Sequence, residues 1–175
     1  MTRLEVPVSL RWSDMDAYGH VNNVEMFRLL EEARIEAFWA HPADADGARP
    51  PGWPTAVIDA GPGADVATLV ARQEIEYLRP LGYRREPVVV EVWLGHLGGA
   101  SLDVCYEVRD LRAPAAATGE TDTSASAPAV QPYARAVTTL VLVDAATGTP
   151  RRIGEVERAA WTPYVEEPVT LRRRR

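Results

Sequence analysis

The chain is predicted to be α+β, one antiparallel sheet curled around one long helix. Three observations carry that expectation: a period-two segment at the start, a single amphipathic helix immediately after it, and then only strand-like segments.

Leu4, Val6, Val8 and Leu10 alternate with Glu5, Pro7, Ser9 and Arg11, the pattern of a strand with one buried face. Pro7 places it at a sheet edge or a bulge. From about Asn22 to Ala40, Met26, Leu29, Leu30, Ala33, Ala37 and Ala40 fall on one side and Glu25, Arg28, Glu32 and Glu36 on the other, which predicts a helix. Asn22 or Asn23 is its cap, and Pro42 and Gly47 close it. Phe27, Phe38 and Trp39 widen the apolar surface, so the helix is expected to be covered on several sides.

After a Pro- and Gly-rich stretch around Ala56-Val57-Ile58, a strand is expected from Val66 to Leu78. Two more, Pro87 to Leu97 and Ser101 to Val108, meet at Gly98-Gly99, a pair suited to the positive backbone angles of a tight hairpin. Arg112 to Gln131 is rich in Ala, Thr, Ser, Gly and Pro without apolar periodicity, and reads as a flexible connection at about 112–132. Tyr133 to Val143 is the strongest strand, and its apolar continuity predicts burial on both faces.

The 175 residues suit a single domain, and 46% hydrophobic content is ample for a core. No run of eighteen apolar residues predicts a membrane span, and Met-Thr-Arg-Leu-Glu lacks a signal-peptide core, so a cytoplasmic protein is expected. The lone Cys105 lies in an alternating segment and reads as a structural thiol. A formal charge of −6 disfavours nucleic acid binding. The terminal Arg172-Arg173-Arg174-Arg175 reads as a solvated tail.

The joint between first strand and helix, Arg11-Trp12-Ser13-Asp14-Met15-Asp16-Ala17-Tyr18-Gly19-His20-Val21-Asn22-Asn23, concentrates two carboxylates, an imidazole and two amides. Asp-x-Asp alone is an ordinary turn and helix-capping pattern. Followed by Gly19, His-Val-Asn-Asn and a helix, it asks for more than a turn. No His, Cys or carboxylate set has metal-ligand spacing, and there is no phosphate loop or Gly-x-Ser-x-Gly elbow, so no metal or cofactor is expected. His41 and His96 are isolated and read as structural.

Asp14 to Asn23, then Glu31-Glu32-Ala33-Arg34, then Ile75-Glu76-Tyr77-Leu78-Arg79-Pro80-Leu81 together resemble the hotdog-fold acyl-CoA thioesterases of the 4-hydroxybenzoyl-CoA thioesterase family, over roughly residues 4 to 160. The resemblance implies a curved antiparallel sheet around a long central helix, a homodimer or homotetramer with sites at the subunit interface, and an acyl-CoA or acyl-carrier-protein thioester as substrate. It implies that Asp16, three positions before Gly19, is the catalytic carboxylate with Asp14 in support, and that the Asn23 backbone amide polarises the thioester carbonyl. Whether Asp16 attacks the carbonyl or deprotonates water is open at this level.

His20 can be read two ways. It could contact the thioester or orient water, as His-Val-Asn-Asn in the related plant acyl-carrier-protein thioesterases suggests, or it could only fix the loop. The plant pattern has an Asn where Tyr18 stands and a Glu where Pro80 falls, which favours Asp16 with the helix amide. Arg84-Arg85 and Arg151-Arg152 are candidates for coenzyme A phosphates and equally for solvated turns. Two other functions fit the fold: an acyl-thioester-binding protein without turnover, and an enoyl thioester hydratase using Asp16 with His20.

Overall fold

The structure, a computed structural model, describes residues 2–43, 52–59, 63–111 and 131–172. Its elements are β1 (Leu4–Val8), a 3-10 turn (Trp12–Asp14), α1 (Asn23–Phe38), β2 (Val66–Tyr77), β3 (Val88–Leu97), β4 (Ser101–Asp110), β5 (Ala134–Asp144) and α2 (Glu155–Trp161). The five strands form one antiparallel sheet in the order β1-β3-β4-β5-β2. This is the hotdog-like α+β arrangement, with β1 and β2 at the edges. Pro7 therefore sits on an edge strand, where its missing N–H removes no interior ladder bond.

Helix α1 lies on the sheet chiefly over β1 and β3. Leu29, Leu30, Ala33, Ala37 and Phe38 are buried there against Val6, Val88, Val90, Val92 and Tyr106. Asn22 is its cap, accepting the Val24 N–H at 2.9 Å through Oδ1. Cover also comes from beyond the sheet. Trp161 of α2 stacks edge-on against Phe38 at 5.8 Å, and its indole N–H donates to the Thr55 carbonyl at 3.0 Å.

The opposite, convex face of the sheet carries Arg3, Glu91, Glu107, Arg109 and Arg135 in ion pairs. The segment after α2 crosses this face. The Glu166 N–H donates to the Leu94 carbonyl at 2.9 Å, the Trp93 indole donates to the Glu167 carbonyl at 3.0 Å, and the Val169 N–H points at the Cys105 sulfur at 3.5 Å. Gly95, at the β3 bulge, makes the crossing possible: a Cβ there would lie 2.7 Å from that sulfur and 3.1 Å from the Pro168 Cα.

Two expectations need correcting, and one element was not anticipated. Gly98-Gly99 does join β3 to β4, but neither glycine has a positive φ, because the Gly98 N–H to Ser101 carbonyl bond at 2.8 Å closes the turn without one. β5 is not buried on both faces. Its burial alternates because only one face meets the helix layer, while its other apolar residues lie on the convex side. The short helix α2 was not expected, since seven residues are too few to display a helical period. The connection at about 112–132 lies outside the described residues except for its last two positions, and Arg173 to Arg175 of the tail lie outside them as well.

Candidate functional site

The joint is built around Asp14, which is 1% exposed. Its Oδ2 accepts the Arg11 N–H at 2.7 Å, and its Oδ1 accepts Arg28 Nη2 at 2.6 Å. Arg28 is held in turn by Glu25 at 2.5 Å and by Glu32. The Asp14 carbonyl also takes the Asn22 N–H at 2.8 Å, so this residue ties the end of the 3-10 turn to the start of α1. With both oxygens engaged and water excluded, Asp14 is a structural carboxylate.

Asp16 is in a different situation. Residues 16 to 20 form a tight turn in which the Asp16 N–H donates to the His20 carbonyl at 2.8 Å and the Gly19 N–H to the Asp16 carbonyl at 3.1 Å. Gly19 takes φ +77°, a conformation that suits a residue without a Cβ. The Asp16 side chain turns back over its own loop, where Oδ1 accepts the Tyr18 N–H at 2.8 Å and the His20 N–H at 3.1 Å. Oδ2 has no hydrogen bond among the described residues, and the side chain is partly exposed. One oxygen is thus fixed by backbone and the other is open.

Asn23 opens α1, and its N–H has no acceptor among the described residues, as expected for the first helical position. Its carbonyl accepts the Tyr77 hydroxyl at 3.1 Å. Its own Oδ1 approaches the Val24 N–H at 3.0 Å, sharing that donor with Asn22. The Asn23 side chain therefore supports the cap, while its amide stays available at the positive end of the helix.

The His20 backbone pairs with Gly82, and the Val21 N–H donates to the Leu81 carbonyl at 2.7 Å. The imidazole is exposed and has no partner among the described residues. Asp16 and His20 thus share one turn, and the same backbone runs from it into the helix start at Asn23. The Ile75 to Leu81 segment is the second wall of the site, since Tyr77 and Leu81 bond directly to the joint. Tyr77 is a site residue that the sequence reading did not single out; its one signal was membership of that segment.

One member of each arginine pair is tied into the fold. Arg84 and Arg79, which donates at 2.6 Å, converge on Asp110, joined by the Tyr133 hydroxyl at 2.7 Å; the Arg79 guanidinium lies 3.5 Å from the Tyr133 ring centroid. Burial raises the Asp110 pKa, but hydrogen bonds from Arg84, Tyr133 and Arg79 outweigh it and hold the carboxyl well below the usual carboxylate range. Arg151 pairs with Glu157 of α2. Arg85 and Arg152 are the exposed members. Among the described residues no group of three or more His, Cys, Asp or Glu could hold a metal ion, and no helix is long and apolar enough to cross a membrane.

No curated protein matches the chain. Solved structures do. The PA2801 protein of Pseudomonas aeruginosa, a thioesterase candidate, is 28% identical with a TM-score of 0.64, over 91% of this chain and 98% of that one. A Thermus thermophilus thioesterase complexed with coenzyme A and zinc is 25% identical with a TM-score of 0.57, over 89% and 94%. A predicted thioesterase from Bacillus stearothermophilus, at 18% identity and a TM-score of 0.65 over 96% and 100%, shares the fold. The model of the thioesterase-like superfamily matches residues 10–168, which includes the whole joint, both walls of the site and strands β2 to β5; the chain belongs to that superfamily.

Proposed function

We propose that this protein hydrolyses acyl-CoA thioesters, in the manner of the 4-hydroxybenzoyl-CoA thioesterases, with Asp16 as the reacting carboxylate. The observation that carries this reading is the asymmetry of Asp16: two backbone amides fix Oδ1, while Oδ2 is open on a turn that leads directly into the helix. A thioester needs little help at its leaving group, because a thiol of ordinary pKa about 8.5 departs readily. The demand falls on the attacking oxygen and on the carbonyl oxygen, which gains negative charge.

In this reading the Asn23 N–H and the positive end of α1 receive that charge. Oδ2 of Asp16 attacks the carbonyl carbon to give an anhydride that water then opens, or takes a proton from the attacking water. His20 extends from the same turn, free to contact the thioester or the water. No cofactor is required. The coenzyme A bound to the Thermus thermophilus neighbour supports a coenzyme A thioester as the substrate form.

We further propose a homodimer formed through β2. This strand is twelve residues long, pairs only with β5 among the described strands, and leaves Leu69, Val70 and Tyr77 about half exposed. A long edge of that kind is normally paired or protected. Both proposals are tested on the full chain. Free-thiol release from short, long and aromatic acyl-CoAs is expected for at least one substrate. Binding without release would make the protein an acyl-thioester binder, and absorbance loss from an enoyl-CoA without thiol release would make it a hydratase. Sedimentation as a stable monomer would remove the dimer.

A further inference from the structure

The concave side of β2 is a trough floor, and it is not uniformly apolar. Gln73, Ile75 and Tyr77 pair in register with Thr138, Ala136 and Ala134, all of which are buried on the helix side of the sheet. Because α1 sits over β1 and β3, this part of β2 is left open: Gln73 and Tyr77 are exposed. Asn23, Phe27 and Arg34 fall on one face of α1 by helical periodicity. The Tyr77–Asn23 and Arg34–Tyr106 bonds show that this face looks onto the sheet.

Midway along the trough lies a hydrogen-bonded polar band. The Gln73 amide donates to Thr138 Oγ1 at 3.3 Å, Thr138 also meets the Tyr106 hydroxyl, and Arg34 Nη1 donates to that hydroxyl at 3.4 Å. Arg34 is buried on α1 beside Leu30, Ala33, Ala37 and Phe38. Its other partner is Glu31, at 3.0 Å, whose carboxylate is more than half exposed. A guanidinium has five donors, and the described residues accept two bonds from this one. A charge taken into the core is kept at a cost that a helix-surface ion pair does not return. An apolar residue at Arg34 would complete the core at lower cost.

We infer that this band, Gln73 with Thr138, Tyr106 and Arg34, recognises an oxygen acceptor at the far end of the acyl group, so that the substrates are ω-hydroxy- or ω-carboxy-acyl thioesters of medium length. The inference rests on the thioester reading of the joint. Gln73 is four residues along the strand from Tyr77, roughly 13 Å. Arg34 is eleven residues along the helix from Asn23, roughly 16 Å at the backbone, with a long side chain that leans back toward the helix start. Both walls therefore place the donors at one depth from the carbonyl end, beyond an apolar stretch formed by Ile75 and Phe27.

The test uses non-hydrolysable thioether analogues of octanoyl-CoA and of its ω-hydroxy and ω-carboxy counterparts, titrated calorimetrically into the wild-type protein, Gln73→Leu and Thr138→Val. Wild type is expected to bind at least one oxygenated analogue about tenfold more tightly than the plain one, the worth of one hydrogen bond to a charged group. Both variants should bring that ratio near one while binding of the plain analogue holds or improves. Gln73 is exposed, so folding is not the variable in Gln73→Leu, and unfolding of Thr138→Val is measured alongside. Equal or tighter binding of the plain analogue by wild type, or a ratio unchanged in both variants, overturns the inference. Hydrolysis of the thioesters is read separately: turnover without preference removes only the acyl assignment, and preference in binding without turnover removes only the hydrolase reading.

Discussion

Replacing Asp14 by Asn separates the two carboxylates of the joint by what each does. Asp14 accepts a backbone N–H at 2.7 Å through one oxygen and a guanidinium N–H at 2.6 Å through the other, in a site that excludes water. An amide has one acceptor oxygen, so whichever bond survives, the NH2 group faces a donor. The lost interaction is charge-assisted, which sets the penalty at about 2 to 3 kcal/mol. Arg28 is only partly buried and retains Glu25 and Glu32, so it is not left as an isolated buried charge. For a chain of this length the change corresponds to a fall in Tm of roughly 4 to 12 °C. Thermal and urea unfolding should show that loss, while kcat of the surviving folded protein falls less than in an Asp16 variant. A variant as stable as wild type with turnover abolished would refute the structural role assigned to Asp14.

Gly19→Ala forces a Cβ into a φ of +77°, with no neighbour within 4 Å of it, so the cost is conformational and about 1 kcal/mol; urea unfolding measures it. Asp110 has its pKa lowered in the folded state, so its stabilisation is complete above about pH 4, where the unfolded carboxyl is ionised, and is lost as the pH falls through the lower folded value. Asp110→Asn should therefore remove about 1 kcal/mol at pH 7, allowing for solvent screening of a partly exposed group, and the gap to wild type should shrink at pH 3 in denaturant titrations. Cys105 is fully buried and burial pushes its thiol pKa up, so a thiol reagent should label it slowly in the native protein and promptly in denaturant; immediate native labelling would contradict its place beneath the C-terminal segment.

The parts legible in the sequence were those with a local physical signature. The β1 alternation, the Asn22 cap, the edge position of Pro7 and the β3-β4 hairpin each depend on neighbouring residues. The helix ends at Phe38 rather than Ala40 because the Ala40 N–H leaves the helix to pair with the Ile58 carbonyl at 2.8 Å, a contact from a segment about eighteen residues on. Burial of β5 was misjudged because apolar continuity does not reveal that the convex face carries only a crossing segment. The turn chemistry at Gly19 could be anticipated, and so could the presence of a carboxylate at Asp16.

What distinguishes Asp14 from Asp16 could not be read from adjacent residues. Arg28 reaches Asp14 across fourteen positions, and nothing local announces that pairing. Tyr77 reaches Asn23 across fifty-four, and the polar band at Gln73, Tyr106, Thr138 and Arg34 draws on three strands and the helix. Such contacts exist only once the sheet order is set.

That Asp16 carries the chemistry is tested by single-turnover thiol release with wild type and Asp16→Asn side by side, both verified as folded by circular dichroism. The amide keeps the size of the side chain and its carbonyl can still accept the Tyr18 and His20 N–H groups, so the turn is preserved while the open oxygen is replaced by a nitrogen that is neither nucleophile nor base. A loss of about a hundredfold or more in the chemical step is expected. Release at the wild-type rate from folded Asp16→Asn would contradict it.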